Sequence, residues 1–212
     1  MHLHAIVDVS VAESAGWTPV DLAAAYLSGG AGLIQVRAKA AAASAFLDVA
    51  AAIHDLARSV GAFVIVNDRA DLAKLSRSEG VHLGQEDLAP SAARVVVGPD
   101  AIVGRSTHTH EQVKQAMTEP ISYFAIGPVF ATSTKVTEYP TVGLEGVRHA
   151  AAAGRARGLH LVAIGGITLQ NVASVMEAGA AGVAVIADLL EGGDPEARTR
   201  AYLSRIAEVG GV

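Results

Sequence analysis

A closed barrel of eight strand–helix units is the fold predicted by this chain, and three observations predict it. Eight short apolar runs recur along the 212 residues, with helix-like segments between them. Each run is aliphatic with little alternation, as expected of parallel strands buried on both faces. The polar residues able to do chemistry cluster where those runs end, and that is where the loops of an eight-fold barrel build active sites. Strand–helix alternation implies parallel pairing with right-handed crossovers. A doubly wound open sheet is the competing layout; eight units favour closure. Barrels of about 200–250 residues are normally one domain, and no charge block or low-complexity linker divides the chain, so residues 1–212 read as a single domain.

The first strand is expected at Leu3–Asp8. Thr18-Pro19 then starts a helix, with a capping hydroxyl ahead of proline at the first helical position, and Gly29-Gly30 stops it. Leu33–Arg37 reads as strand two, residues 44–60 as an alanine-rich helix ended by Gly61, and Phe63–Asn67 as strand three. Strands four and five are expected at 81–83 and 101–104, strand six at Tyr123–Ile126, and strands seven and eight at 161–164 and 182–186. Asp194-Pro195 caps the last helix, which reaches about Val209. The longest connection, residues 127–143, has the length of a lid or binding loop.

Hydrophobic content of 51% with 17% charged residues excludes disorder, and 4% aromatic content makes the core aliphatic. With no cysteine, disulfides, thiolate metal sites and cysteine nucleophiles are excluded. A net charge of −5 argues against nucleic-acid and anionic-membrane partners. The start, Met1-His2-Leu3-His4, lacks the basic and apolar regions of a secretory signal, and no apolar run reaches the roughly 18 residues of a membrane span, so a cytoplasmic location is expected. A homo-oligomer is compatible with the sequence, which does not decide it.

Gln35, Arg37 and Lys39 end the second run, Asn67 and Asp68 the third, Gln85, Glu86 and Asp87 the fourth, and Ser106 with His108 the fifth. Thr132, Ser133, Thr134 and Lys135 follow the sixth; Gly165-Gly166 ends the seventh, and Ile186-Ala187 the eighth. Loops after strands seven and eight commonly bind phosphate through backbone N–H groups, which glycine lets a phosphate approach. Ordinary turn glycines are the plainer reading. Asp68 and Asp87 close adjacent strands, so their carboxylates are expected side by side, as magnesium requires; helix capping is the plainer reading there. Arg37, Lys39 and Lys135 add cations, and Asn67 and Ser106 neutral donors, a mix suited to a diphosphate. Residues 127–135 lack the second glycine and the Lys-Ser/Thr ending of a phosphate-binding loop. His108-Thr109-His110 has no supporting ligand cluster and reads as a hydrogen-bonding or capping element. Ser106 and His108 are not a catalytic triad without a nucleophile turn and an orienting acid.

Seven strings in order, IQVRAK (34–39), VNDRADLA (66–73), GVHLGQED (80–87), GRSTHT (104–109), FAIGPVFATSTK (124–135), VGLEG (142–146) and AIGGI (163–167), resemble thiamine phosphate synthase over nearly the whole chain. The resemblance implies a transferase of thiamine biosynthesis. It joins the diphosphate ester of hydroxymethylpyrimidine to a thiazole phosphate, plain or carboxylated, and releases pyrophosphate with Mg2+ as cofactor. It also implies that the pyrimidine diphosphate lies along Gln35, Val36, Arg37, Ala38 and Lys39 and meets Asn67, Ser106 and Lys135. Arg37, Lys39, Ser106 and Lys135 would carry the chemistry, and Asp68 and Asp87 would hold the metal. The thiazole phosphate would meet Thr132, Ser133, Thr134, Gly166, Ile186 and Ala187.

Three positions depart from the family pattern: Ala38 stands where an acid is frequent, His4 where tyrosine is, and Ala187 where serine is. The related thiazole tautomerase shares the barrel, but its branch has histidine at the position of Pro128 and lacks the metal aspartates. Pro128, Asp68 and Asp87 therefore favour the synthase. A sugar-phosphate isomerase needs an acid–base pair facing its substrate, and none is evident. Retention of the charged rim argues against a catalytically silent binder.

Overall fold

The computed structural model describes residues 2–132, 134 and 138–210. Eight parallel strands close on themselves in chain order. They are β1 (Leu3–Asp8), β2 (Leu33–Arg37), β3 (Phe63–Asn67), β4 (Gly80–Leu83), β5 (Ile102–Thr107), β6 (Tyr123–Ile126), β7 (His160–Ile164) and β8 (Gly182–Val185). Closure is made by β1 against β8, with His4 opposite Ala184. Helices α1 (Val9–Ser14), α2 (Pro19–Ser28), α3 (Ala43–Ser59), α4 (Ala70–Leu75), α5 (Pro90–Val97), α6 (His110–Ala116), α7 (Gly143–Arg157), α8 (Val172–Glu177) and α9 (Pro195–Gly210) surround the barrel. No described helix is long and apolar enough to cross a membrane.

Helix starts follow the local chemistry. The Thr18 hydroxyl accepts from the Asp21 N–H at 3.1 Å and donates to its carboxylate at 2.7 Å, while Pro19 supplies the preset φ of the first turn. Thr109 accepts from Gln112 N–H at the start of α6, and Asp194 from Ala197 N–H at the start of α9. The expected bounds of β1, β2, β3 and β6 coincide with the observed ones.

Strands β4, β7 and β8 and helix α3 differ from the expected bounds by a single residue at one or both ends, and two elements differ by more. Helix α1, not anticipated between the first strand and Thr18, follows β1 directly, because the Asp8 carboxylate caps it through Val11 N–H at 3.2 Å. Strand β5 runs past Gly104 to Thr107. Its polar end stays in the ladder because Ser106 pairs with Ala125 and Thr107 with Ile126, while the buried Arg105 donates to Gly84 O and meets Glu119 at 3.5 Å. Ser106 is therefore a strand residue inside the barrel, not the first residue of a loop.

Two apolar layers result. One packs the outward faces of the strands against the helices, with Val7, Val36, Val66 and Val103 fully buried among them. The other fills the barrel itself with Ile6, Leu33, Ile65, Tyr123, Ala125, Val162 and Ala184. Above this plug the inward positions turn polar, and the cavity begins there.

Candidate active site

Two cavities open at the carboxyl-end rim and share Arg37, Asn67, His82, Ser106 and His108 as a common wall. One, of about 330 Å3, descends to His4, Ile6 and Tyr123 and is walled by Thr132, Thr134, Gly166, Ile186 and Ala187. The other, of about 310 Å3, lies over the ends of β2 to β5 and is lined by Lys39, Asp68, Gln85, Glu86, Asp87 and Tyr139.

The period-two alternation of β2 sends Gln35 and Arg37 inward and Val36 outward. Gln35 Nε2 donates to Asn67 Oδ1 at 2.9 Å, so the two buried amides orient each other across β2 and β3. Arg37 pairs with Asp8 at the neighbouring strand end. The side chains of Val36 and Ala38 pack into the layer beneath the helices and line neither cavity, which leaves them only backbone groups to offer.

Asp68 and Asp87 do converge, as their strand order requires. Burial, then a hydrogen bond from Asp68 and its adjacent charge, push the Asp87 carboxyl above the usual carboxylate range. Gly84 N–H, donating to Asp87 Oδ2 at 2.7 Å, and the Lys39 ammonium act the other way. Lys39 forms an ion pair with Asp68, which sits in the left-handed region at φ 66° with its N–H bonded to His82 O at 2.7 Å. Two carboxylates sharing one cation form a donor set of the hard-oxygen kind that suits magnesium.

The end of the first cavity beside Gly166 is shaped by backbone. Gly166 has φ 63°, and a Cβ there would stand 2.5 Å from Ala131 O and 2.8 Å from Phe130 Cβ. The loop after β6 thus lies directly on this glycine, held by Val129 N–H to Ile164 O at 2.9 Å and Phe130 N–H to Gly165 O at 3.0 Å. Asn171 Nδ2 donates to Gly166 O at 3.0 Å and orients the next peptide. Nearby, Asp188 accepts from Arg198, from Tyr202 OH at 2.5 Å and from Leu169 N–H at 3.1 Å, so its charge is committed to holding the turn after β8. Thr132 and Thr134 line this end and are linked by Thr134 N–H to Thr132 Oγ1 at 3.3 Å. Ser133 and Lys135 lie outside the described residues.

His82, Tyr123 and Gly104 belong to the site but are given no role by the reading of the sequence. His82, on β4, places Nε2 2.9 Å from Ser106 Oγ and Nδ1 2.8 Å from Tyr123 OH. Gly104 stands between them in register, opposite both His82 and Tyr123, and a Cβ there would come 2.2 Å from the Tyr123 ring. The missing side chain is what lets β4 and β6 touch across β5. His4 meets Tyr123 edge-on at 5.1 Å; burial, and then His82, lower its pKa to about 3, so it is neutral. His108 stacks on Tyr139 at 4.1 Å, and its backbone N–H donates to Gln112 Oε1 at 2.7 Å. This is the hydrogen-bonding role expected of it. The signal for His82 was available as its place two residues before Gly84, on the inward side of an otherwise apolar run.

The fold and this rim are those of a barrel enzyme acting on small molecules, with an acidic pair and cations on one side and a glycine-lined backbone turn on the other. The family model for thiamine monophosphate synthase matches residues 3–189, and the chain belongs to that family. It is 44% identical over 205 residues to the thiamine-phosphate synthase of Koribacter versatilis, covering 95% of this chain and 93% of that protein. It is 46% identical over 182 residues to the enzyme of the same name from Anaeromyxobacter dehalogenans, covering 86% and 80%. The solved thiamine phosphate pyrophosphorylase of Pyrococcus furiosus superposes with a TM-score of 0.88 at 29% identity, over 98% of this chain and 96% of that one. The expected family and the expected barrel are both borne out.

Proposed function

We propose that the chain condenses 4-amino-2-methyl-5-(diphosphooxymethyl)pyrimidine with 4-methyl-5-(2-phosphoethyl)thiazole, or its carboxylated form, to give thiamine phosphate and pyrophosphate. The observation that carries this reading is the pair of cavities with one shared wall: a two-substrate condensation needs two compartments whose contents meet.

In this reading the diphosphate occupies the compartment of Lys39, Asp68 and Asp87, and the thiazole phosphate the cradle of Thr132, Thr134, Gly166, Ile186 and Ala187, with Ser133 completing it. The bond between the pyrimidine methylene carbon and the diphosphate oxygen breaks first, and the electron-rich aminopyrimidine carries the positive charge left behind. The thiazole nitrogen then gives its lone pair to that carbon. It bears no proton, so no general base is needed. What is needed is stabilisation of charge on the departing group. Arg37, Lys39 and Lys135 supply cations, Ser106 a hydroxyl, and Gln35 with Asn67 fixes the pyrimidine; Val36 and Ala38 contribute main chain. Asp68 and Asp87 would hold Mg2+, which supplies charge neutralisation to the diphosphate. Lys39 beside Asp68 fits this role, since a cation already shares the carboxylate.

The test is a coupling assay with both substrates, with and without chelator, in which thiamine phosphate is oxidised to its fluorescent thiochrome. Magnesium-dependent product supports the proposal. Absence of product from folded protein and verified substrates would move the reading to a tautomerase-like or silent binder in the same pathway.

A further inference from the structure

Tyr123, His82 and Ser106 form a chain of hydrogen bonds across the barrel. The Tyr123 hydroxyl has one hydrogen-bond partner among the described residues, His82 Nδ1 at 2.8 Å, and Tyr123 is 5% exposed. If Nδ1 carried the proton, the phenolic O–H would be buried without an acceptor, and a buried donor left unsatisfied is unfavourable. The phenol therefore donates to Nδ1. Burial raises the Tyr123 pKa above that of a free phenol, so the hydroxyl keeps its proton near neutral pH. A neutral imidazole accepting at Nδ1 bears its proton on Nε2. Nε2–H then donates to Ser106 Oγ at 2.9 Å, and the Ser106 proton has to point elsewhere. Ser106 lines both cavities, so that proton is available where they join.

We infer that Tyr123 and His82 are positioning residues that hold Ser106 as a hydrogen-bond donor toward the anionic substrate. The opposite order of protons would aim only lone pairs of Ser106 at a phosphate oxygen and repel it. Gly104 belongs to the same device, because any side chain there would separate His82 from Tyr123. The inference rests on the proposed reading only for the identity of the anion, the departing diphosphate; the tautomer follows from the buried contacts alone.

Two measurements on the full chain separate these parts. Nitrogen NMR of protein labelled at histidine, with His82 assigned by its loss in His82→Gln, reads the tautomer without substrate. The expected form is Nε2–H, and an Nδ1–H signal for His82 overturns the inference. In the coupling assay Tyr123→Phe is expected to lower kcat about tenfold with KM for the diphosphate nearly unchanged. It should add no further loss in a Ser106→Ala background, because both changes remove the same donor. Independent, multiplying losses would overturn the inference in favour of a packing role for Tyr123. If Tyr123→Phe fails to fold, the wild-type tautomer still decides. If wild-type protein makes no thiamine phosphate, the proposed function fails, while the NMR result continues to judge the hydrogen-bond chain.

Discussion

Asp8 and Arg37 stand opposite each other at the ends of β1 and β2, and their side chains form an ion pair at the rim of the barrel. The carboxylate is buried and also caps α1, so the guanidinium is aimed by a group that is itself fixed from two sides. If Arg37 faces the departing diphosphate as proposed, its charge is held in one orientation before substrate arrives, the preorganisation that electrostatic stabilisation depends on.

Asp8→Asn separates the two duties of that residue. Asparagine caps a helix about as well as aspartate but cannot hold the guanidinium by charge. Thermal stability is expected to fall by only about 1–2 kcal/mol, while kcat/KM for the pyrimidine diphosphate falls about tenfold. Unchanged kcat/KM would show that Arg37 needs no such partner.

Asp87→Asn removes a carboxylate that burial and Asp68 already oppose. Because its pKa is raised in the folded state, the ionised group weakens the fold above the unfolded pKa, and the amide relieves this. The melting temperature is expected to hold or rise, while turnover at fixed magnesium drops about a hundredfold, the order of a lost metal contact. Melting curves and a magnesium titration of rate check both halves; turnover near wild type would remove Asp87 from the metal site.

Gly166→Ala would force a left-handed φ on alanine, costing about 1–2 kcal/mol, and drive its Cβ against Ala131 O. A drop in Tm of about 2–8 °C is expected. The loop that lies on this glycine would shift, so KM for the thiazole phosphate should rise more than KM for the diphosphate. Equal changes in both would argue that Gly166 does not face the thiazole phosphate.

His4 links stability to acid. Its folded pKa of about 3 lies below the 6.5 of an exposed histidine, so between those values the unfolded chain binds one more proton than the native state. Its contribution is constant above pH 6.5 and is lost as pH falls toward 3, at up to about 1.4 kcal/mol per pH unit. Urea midpoints at pH 7.5, 6 and 5 are expected to fall less steeply in His4→Phe than in wild type. Parallel slopes would mean that His4 is hydrated in the native state.

What the chain determines by itself is the order of its parts. Aliphatic runs with no inward–outward alternation, separated by capped helices, allow little besides a parallel barrel, and the order of strands then sets the angular position of each loop. That is why the sequence already places Asp68 and Asp87, on neighbouring strands, together, and the residues after β7 and β8 at one end of the rim. Tertiary structure alone decided which side of each strand faces the cavity and how far each strand slides past its neighbour. A strand buried on both faces carries no hydrophobic alternation to mark its inner side, so Val36 and Gln35 look equally placed in the sequence, yet only Gln35 reaches the cavity. The meeting of His82 with Tyr123, 41 residues away, depends on the shared register of three strands and on the empty position at Gly104. No local pattern encodes that coincidence, because it exists only when the barrel has closed.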